Sequence, residues 1–204
     1  IDTTMSGPAA SCIGAAWLTG KKDAIIVDIG GTSTDISLLN SGYPEVSKQG
    51  ARIGVWDTMV EAISISTQGL GGDSEVIFEE TNSNLDINLG PKRVVPLSII
   101  SERFPSVLSI LTKQSKFPFY SHTDGIFIWK KNIPKNLNWL SKIERFTFDK
   151  LQINEVSSLS EITPNQSSFG AVNRLIKYNL VEVSGFTPTD AVHVLGIYNG
   201  FNTK

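Results

Sequence analysis

Asp28 and Asp35 bracket Gly30-Gly31 and the hydroxyl run Thr32-Ser33-Thr34, and an apolar run lies on each outer side, Ala24–Val27 and Ile36–Leu39. Glycine carries no Cβ, so main-chain N–H groups at Gly30 and Gly31 can come close to an anion. The three hydroxyls add donors beside them. Asp28 and Asp35 are hard oxygen ligands suited to Mg²⁺, directly or through water. The combination describes a phosphate-binding hairpin of a nucleotide site. It lacks the G-x-x-x-x-G-K-[ST] spacing of a P-loop. A Gly-Gly turn with Asp and Thr nearby is also an ordinary structural hairpin. The run of Asp, two Gly, three hydroxyls and a second Asp between two apolar strands favours the phosphate reading.

Positioning such a hairpin requires flanking elements. Ser6 and Pro8 start a helix over Ala9–Leu18 that Gly20 stops. Strands follow at Ala24–Ile29 and Thr34–Leu39, and a third, weaker one at Pro44–Gln49 after the Asn40-Ser41-Gly42 turn. A three-strand meander after a helix differs from a Rossmann βαβ unit. Thr58–Ile63 is apolar and short, with Glu61 inside it. Gln68-Gly69-Leu70-Gly71-Gly72-Asp73-Ser74 forms a second glycine-rich loop. A hairpin is expected from Glu75–Glu79 and Leu85–Leu89 around Asn82-Ser83-Asn84, broken by Gly90-Pro91. Val94–Leu97 is a short strand.

Beyond Pro96 the composition shifts toward Lys, Asn, Ser and aromatics, which divides the chain into 1–97 and 98–204. Ser98–Lys113 is an amphipathic helix that Pro105 kinks or restarts. Phe117–Trp129 is extended or irregular. Asn136–Phe146 is a helix and Asp149–Ile153 a short element. Thr163-Pro164 opens a helix through Tyr178 with Phe169, Val172, Leu175 and Ile176 on one face. Leu180–Val183 is a strand. Thr187, with Asp190 three residues on, caps a last helix to about Leu195.

The 204 residues are 40% hydrophobic and 19% charged, so a packed core is expected and wholesale disorder is not. Basic and acidic residues number 18 and 20, a net charge of −2, which gives no clustered basic surface for nucleic acid. No apolar run reaches a membrane-spanning length. Cys12 is the one cysteine, placed among small residues, which suits packing rather than nucleophilic chemistry and is compatible with a cytoplasmic setting. Ile1 begins the chain, and Ser6-Gly7-Pro8-Ala9-Ala10 follows almost at once, so the sequence is read as the interior of a longer protein.

Other residues invite functional readings and have plainer ones. His193 has no second ligand at i+4 and suits a core. His122 and Asp124 lack supporting ligands and suit a polar surface. The Phe117, Phe119, Tyr120, Phe127 and Trp129 cluster can stack a base or form a satellite core. Arg174–Val183 has the rhythm of a winged helix, with only Arg174 and Lys177 basic. Arg52 and Glu61 fit a polar site or a solvated pair.

Taken in order, Ser6-Gly7-Pro8-Ala9-Ala10, Asp28-Ile29-Gly30-Gly31-Thr32-Ser33-Thr34-Asp35, Gly69-Leu70-Gly71-Gly72-Asp73-Ser74 and Gly185-Phe186-Thr187-Pro188-Thr189-Asp190-Ala191 resemble the A-type hydantoinase/oxoprolinase family. Thr58–Ile63 and Gly90–Pro96 fit as well. The resemblance implies an ATPase of the actin, sugar-kinase and heat-shock-chaperone superfamily, with α/β, ribonuclease-H-like lobes of mixed sheet. On that basis 1–97 is the second lobe's core, and 98–204 is a mainly helical or irregular insertion with C-terminal helices. The implied chemistry couples ATP cleavage to opening a cyclic amide of the hydantoin or 5-oxoproline type, through phosphorylation of an amide or enol oxygen. Relatives carboxylate ketones. Gly30, Gly31, Thr32 and Ser33 would cradle the β- and γ-phosphates, and Asp28 would anchor hydrated Mg²⁺. Asp35 would orient an attacking oxygen, hold a metal-bound water, or cap the hairpin. Gly71 and Gly72 would approach the nucleotide or the interlobe cleft. A second hydrolase subunit or domain is the implied partner. The first-lobe hairpin and a late adenosine-binding glycine motif are absent, so the isolated chain is expected to be inactive and to bind nucleotide weakly. The alternatives are an ATP-driven conformational switch and a non-catalytic interaction module built on the same lobe.

Overall fold

The computed structural model describes residues 6–47, 52–53, 56–57, 62–81, 84–117 and 121–201. They make an α/β protein of two compact units, Ile1–Gly72 and Asp73–Lys204. The boundary falls inside the second glycine loop, upstream of the change in composition near Leu97.

The first unit begins with α1 (Ser6–Thr19), whose small residues let it lie close against a sheet. Gly20 ends it as expected, its N–H donating to the Ala16 carbonyl. Strands β1 (Ala24–Ile29) and β2 (Thr34–Asn40) pair antiparallel from Ala24↔Leu39 to Ile29↔Thr34. Ser41 and Gly42, at φ 52° and 86°, turn the chain into β3 (Tyr43–Pro44). A two-residue turn with both φ angles positive matches the twist of the flanking strands, and Gly42 adopts its angle without strain.

The weak third strand expected over Pro44–Gln49 is split. β3 covers only the Leu39–Asn40 end of β2, and β4 (Val46–Ser47) turns away from it. β5 (Arg52–Ile53) pairs with β6 (Trp56–Asp57), and β7 (Ala62–Ile63) returns to pair with β4. Of Thr58–Ile63, only Ala62–Ile63 lies within the described residues, and it is extended; Glu61 lies outside them. β8 (Ile65–Gln68) then takes the remaining edge of β2, from Thr34↔Gln68 to Ser37↔Ile65. Two segments separated in sequence therefore share one sheet edge. Helix α1 packs against β1, β2 and β3, and Cys12, Ser37 and Leu39 are buried.

The second unit opens on an antiparallel hairpin of β9 (Ser74–Thr81) and β10 (Asn84–Arg93). The expected break at Gly90-Pro91 is a register shift between Leu89 and Arg93, with a cis Gly90-Pro91 bond, and the strand continues through it. Proline lacks the N–H that a regular ladder needs, so an irregularity is where a strand admits it. β11 (Val95–Pro96) leads into α2 (Leu97–Arg103) and α3 (Ser106–Gln114), separated by Phe104-Pro105 as the proline suggests.

β12 (Phe127–Lys130) is buried and central, a strand where the sequence suggested only extended or irregular chain. α4 spans Lys142–Lys150, four to six residues later than the expected Asn136–Phe146 helix. The Asn136 side chain accepts from the Asn138 N–H at 2.8 Å, and this local bond competes with helix formation. Ser141 then starts α4 with a capping box to Glu144. No separate element forms over Asp149–Ile153. β13 (Ser157–Ser158), α5 (Leu159–Ile162), α6 (Gln166–Lys177), β14 (Val181–Gly185) and α7 (Pro188–Val194) complete the unit. α6 starts after Asn165, which caps it, rather than at Thr163-Pro164.

The sheet order is β11-β14-β12-β13, with β11 parallel to β14 and the other pairs antiparallel. One core joins Ile128, Phe148, Val172, Leu175 and Val183 beneath α4 and α6; a second joins Ile100, Phe104, Val107, Phe127 and Trp129. Phe127 and Trp129 therefore serve packing, Phe117 is exposed, and Phe119 and Tyr120 lie outside the described residues. Among the described residues no helix is long and apolar enough to cross a membrane.

Candidate functional site

The β1–β2 register sets Asp28 directly opposite Asp35, and the β2–β8 register sets Asp35 opposite Thr67. Residues directly opposite in a ladder project from the same face, so the three side chains form one row across three strands. Thr67 Oγ1 donates to Asp35 Oδ1 at 2.6 Å. The Asp28 side chain is exposed and makes no hydrogen bond or ion pair among the described residues. Its opposition to a second carboxylate gives two hard oxygen donors of the kind Mg²⁺ accepts.

Gly30–Ser33 close the hairpin just beyond this row. The Gly30 N–H donates to the Ser33 carbonyl at 2.9 Å, which holds the loop tight. The N–H groups of Gly31 and Thr32 and the hydroxyls of Thr32 and Ser33 have no partner among the described residues. A Cβ placed on Gly30 would meet only the Ser33 carbonyl at 3.5 Å, an ordinary contact, and Gly30 is not in the left-handed region. The hairpin itself therefore does not demand a glycine at position 30.

The second glycine loop is fastened onto the first. Thr34 Oγ1 donates to the Leu70 carbonyl at 2.7 Å, and the Gly72 N–H donates to the Gly30 carbonyl at 2.9 Å. A Cβ on Gly71 would lie 2.5 Å from the Gly31 carbonyl carbon and 2.6 Å from the Gly30 and Gly31 oxygens. Those are backbone atoms with little freedom to retreat, so only glycine fits at 71. The structure thus brings Asp28, Gly30, Gly31, Thr32, Ser33, Asp35, Gly71 and Gly72 into one neighbourhood, with Gly71 and Gly72 against the hairpin's own backbone. Thr67 is the member that motif reading passed over. It sits in the run Ser64-Ile65-Ser66-Thr67-Gln68, and its meaning lies in a pairing register that no local pattern encodes.

The remaining candidates serve the fold. His193 is buried in α7, with Nδ1 2.7 Å from the Thr189 carbonyl and Nε2 accepting from the Phe201 N–H at 3.1 Å. It stacks on Phe201 and meets Tyr198 edge-on, which is the core role its surroundings suggested. Asp124 accepts from the Ser121 N–H in a local turn beside exposed His122. No group of three or more His, Cys, Asp or Glu able to hold a metal occurs among the described residues. Arg174 is engaged in a contact with buried Glu144 and is not displayed free on α6. Asp190 caps two helices at once: it accepts from the Thr187 N–H and hydroxyl at 2.9 and 2.8 Å, and from the Leu97 and Ser98 N–H groups at 3.1 and 2.7 Å.

The motifs that frame this geometry run from one end of the chain to the other, and the hydantoinase/oxoprolinase family model matches residues 1–197. The chain belongs to the hydantoinase/oxoprolinase family. Among solved structures, the nucleotide-free structure of acetone carboxylase, described as an enzyme of ATP-dependent acetone carboxylation, is similar to this family member at 26% identity. That match covers 43% of this chain and 12% of the acetone carboxylase chain, with a TM-score of 0.36. No curated protein matches the chain.

Proposed function

We propose that the Asp28–Asp35 hairpin is the phosphate-binding element of an ATP site, in a ribonuclease-H-like lobe of the actin-type ATPase superfamily. The parent protein is then an ATP-dependent hydrolase that opens cyclic amides of the hydantoin or 5-oxoproline type. Family membership supports the reaction class. The observation that carries the site is the hairpin apex. Its donors at Gly31, Thr32 and Ser33 are unused by the described chain, and its Gly30 is not required by the backbone. A glycine the fold does not need, next to unspent N–H groups, suits the close approach of an outside anion.

Gly30, Gly31, Thr32 and Ser33 cradle the β- and γ-phosphates in this reading, and the Gly71–Gly72 loop holds the cradle in shape. Asp28 anchors hydrated Mg²⁺, which supplies neutralisation of phosphate charge when bound. Asp35, one strand over, orients the reacting oxygen or would hold a water of the bound metal. Phosphoryl transfer depends mainly on such positioning and charge stabilisation. Transfer of the γ-phosphoryl to the amide oxygen, with ADP leaving, turns a poor electrophile into one that water attacks. The ring C–N bond then breaks, and hydrolysis of the resulting acyl phosphate releases phosphate. The unit Ile1–Gly72 carries the cradle, and the unit Asp73–Lys204 carries the β11-β14-β12-β13 sheet and the C-terminal helices. A second subunit or domain completes the cleft, in a cytoplasmic enzyme with no nucleic-acid or membrane partner.

The test is ATP turnover by the full-length protein with and without hydantoin and 5-oxoproline. Cyclic-amide-dependent turnover is expected, and Asp28→Asn is expected to reduce it by about 10²–10⁴. Turnover indifferent to any cyclic amide points instead to a conformational switch, and wild-type turnover by Asp28→Asn removes the hairpin from the site.

A further inference from the structure

Strand β8 brings to the hairpin a residue outside its motif. Asp28, Asp35 and Thr67 stand side by side on one face of three strands. Adjacent carboxylates repel, so Asp28 alone cannot hold the Asp35 side chain in a fixed orientation toward it. Thr67 supplies the missing restraint through its 2.6 Å bond to Asp35 Oδ1. The bond occupies one carboxylate oxygen and leaves Oδ2 without a partner among the described residues. Threonine is branched at Cβ and stiff at χ1, so the donor is preset before it acts. The strand that carries it is itself pinned: β8 pairs with β2 over Thr34–Ser37, and the loop after it is tied by the Thr34–Leu70 and Gly72–Gly30 bonds. Thr67 is exposed and belongs to neither apolar core, so packing does not account for the contact.

We propose that Thr67 is a positioning residue that fixes the Asp35 carboxylate for the ATP-dependent reaction. This rests on the ATP-site reading above. Thr67 acts through Asp35 and touches neither nucleotide nor substrate, so its loss should act on the rate more than on nucleotide capture.

The experiment compares Thr67→Val, Thr67→Ser and Asp35→Asn in the full-length protein. The readouts are kcat and KM for ATP, Mn²⁺ affinity by electron paramagnetic resonance, and the melting midpoint. Thr67→Val is expected to lower kcat by roughly 10–100-fold and weaken Mn²⁺ binding several-fold, with KM within about two-fold of wild type and melting unchanged. Thr67→Ser keeps the hydroxyl and should restore both kcat and Mn²⁺ binding to within about three-fold. A fall in either quantity that serine restores carries the proposal. Wild-type values for valine in both, or a serine variant as impaired as valine, overturn it. Asp35→Asn separates the two levels of argument. If Asp35→Asn lowers turnover while Thr67→Val changes neither kcat nor Mn²⁺ affinity, only the positioning role fails. If Asp35→Asn leaves turnover intact, the role given to Asp35 fails with it, and the ATP-site reading falls only if Asp28→Asn also turns over as wild type.

Discussion

Strand β1 in the first unit carries Ile25, Val27 and Ile29 exposed on one face and Asp28 on the other, whereas β12 in the second unit buries Phe127, Ile128 and Trp129 in succession. The first unit owes its local geometry to ladder register, tight turns and backbone contacts between glycine loops. The second is held by two apolar cores and by helix caps, among them the Asp190 carboxylate shared by α2 and α7. The region proposed for chemistry is thus shaped by backbone space, and the region beside it in sequence by side-chain volume. Substitutions that remove side-chain volume and substitutions that add it should therefore strike different units.

The largest contrast comes from removing the same bulk in each. Leu175→Ala empties part of a fully buried position and should cost about 3 kcal/mol, while Ile25→Ala, at a residue 68% exposed, should cost less than about 1 kcal/mol. Urea unfolding followed by hydrogen exchange of peptides from each unit checks both. Equal costs would break the comparison. Adding bulk reverses the pattern. Gly71→Ala drives a methyl into the Gly30–Gly31 backbone and should destabilise the first unit by about 2 kcal/mol. Its signature is faster amide exchange at Gly72, whose N–H joins the two loops through the Gly30 carbonyl, and at Gly30, whose N–H closes the hairpin onto Ser33. Unchanged exchange there would mean the loops are not mutually dependent.

The smallest effect sharpens the electrostatic side. The Ser141 backbone N–H, which donates to Glu144, holds that carboxyl below its ordinary value of 4.5, with Arg174 adding to the effect and burial opposing it. A carboxyl lowered in the folded state stabilises fully above its unfolded value and loses that contribution as pH falls through the folded one. Glu144→Gln should therefore cost roughly 1–2 kcal/mol near neutral pH, and the gap from wild type should shrink below about pH 4.5. Urea midpoints across that range decide it. A gap that stays constant at low pH would separate Glu144 from the acid sensitivity of the second unit.

The sequence legibly encodes what is local. The β1–β2 hairpin follows from two apolar runs around Gly30-Gly31, and α7 follows from Thr187 with Asp190 three residues on; both form as their residues dictate. Pro105 likewise separates α2 from α3. Elements that depend on competition or distance are less visible. The Asn136 turn displaces the start of α4, because a side-chain acceptor offers the backbone an alternative to the helix. β12 reads as irregular because the strands it pairs with, β13 and β14, lie some 30 to 55 residues further along. Within the site, the aspartates and glycines are recognisable by type and spacing. The Thr67 bond and the steric demand at Gly71 are not, since each is set by pairing across 32 or more positions.

The split third strand has one more consequence. Between β3 and β8 the chain leaves the sheet through a narrow neck, where Val46↔Ile63 and Ser47↔Ala62 close the excursion before β8 resumes the edge of β2. The neck separates chain length outside it from register inside it. Loop closure grows only logarithmically, by about 0.6 kcal/mol for each doubling of length. The protein can therefore gain or lose residues between Ser47 and Ala62, or accept a grafted segment there, while the row of Asp28, Asp35 and Thr67 keeps its spacing.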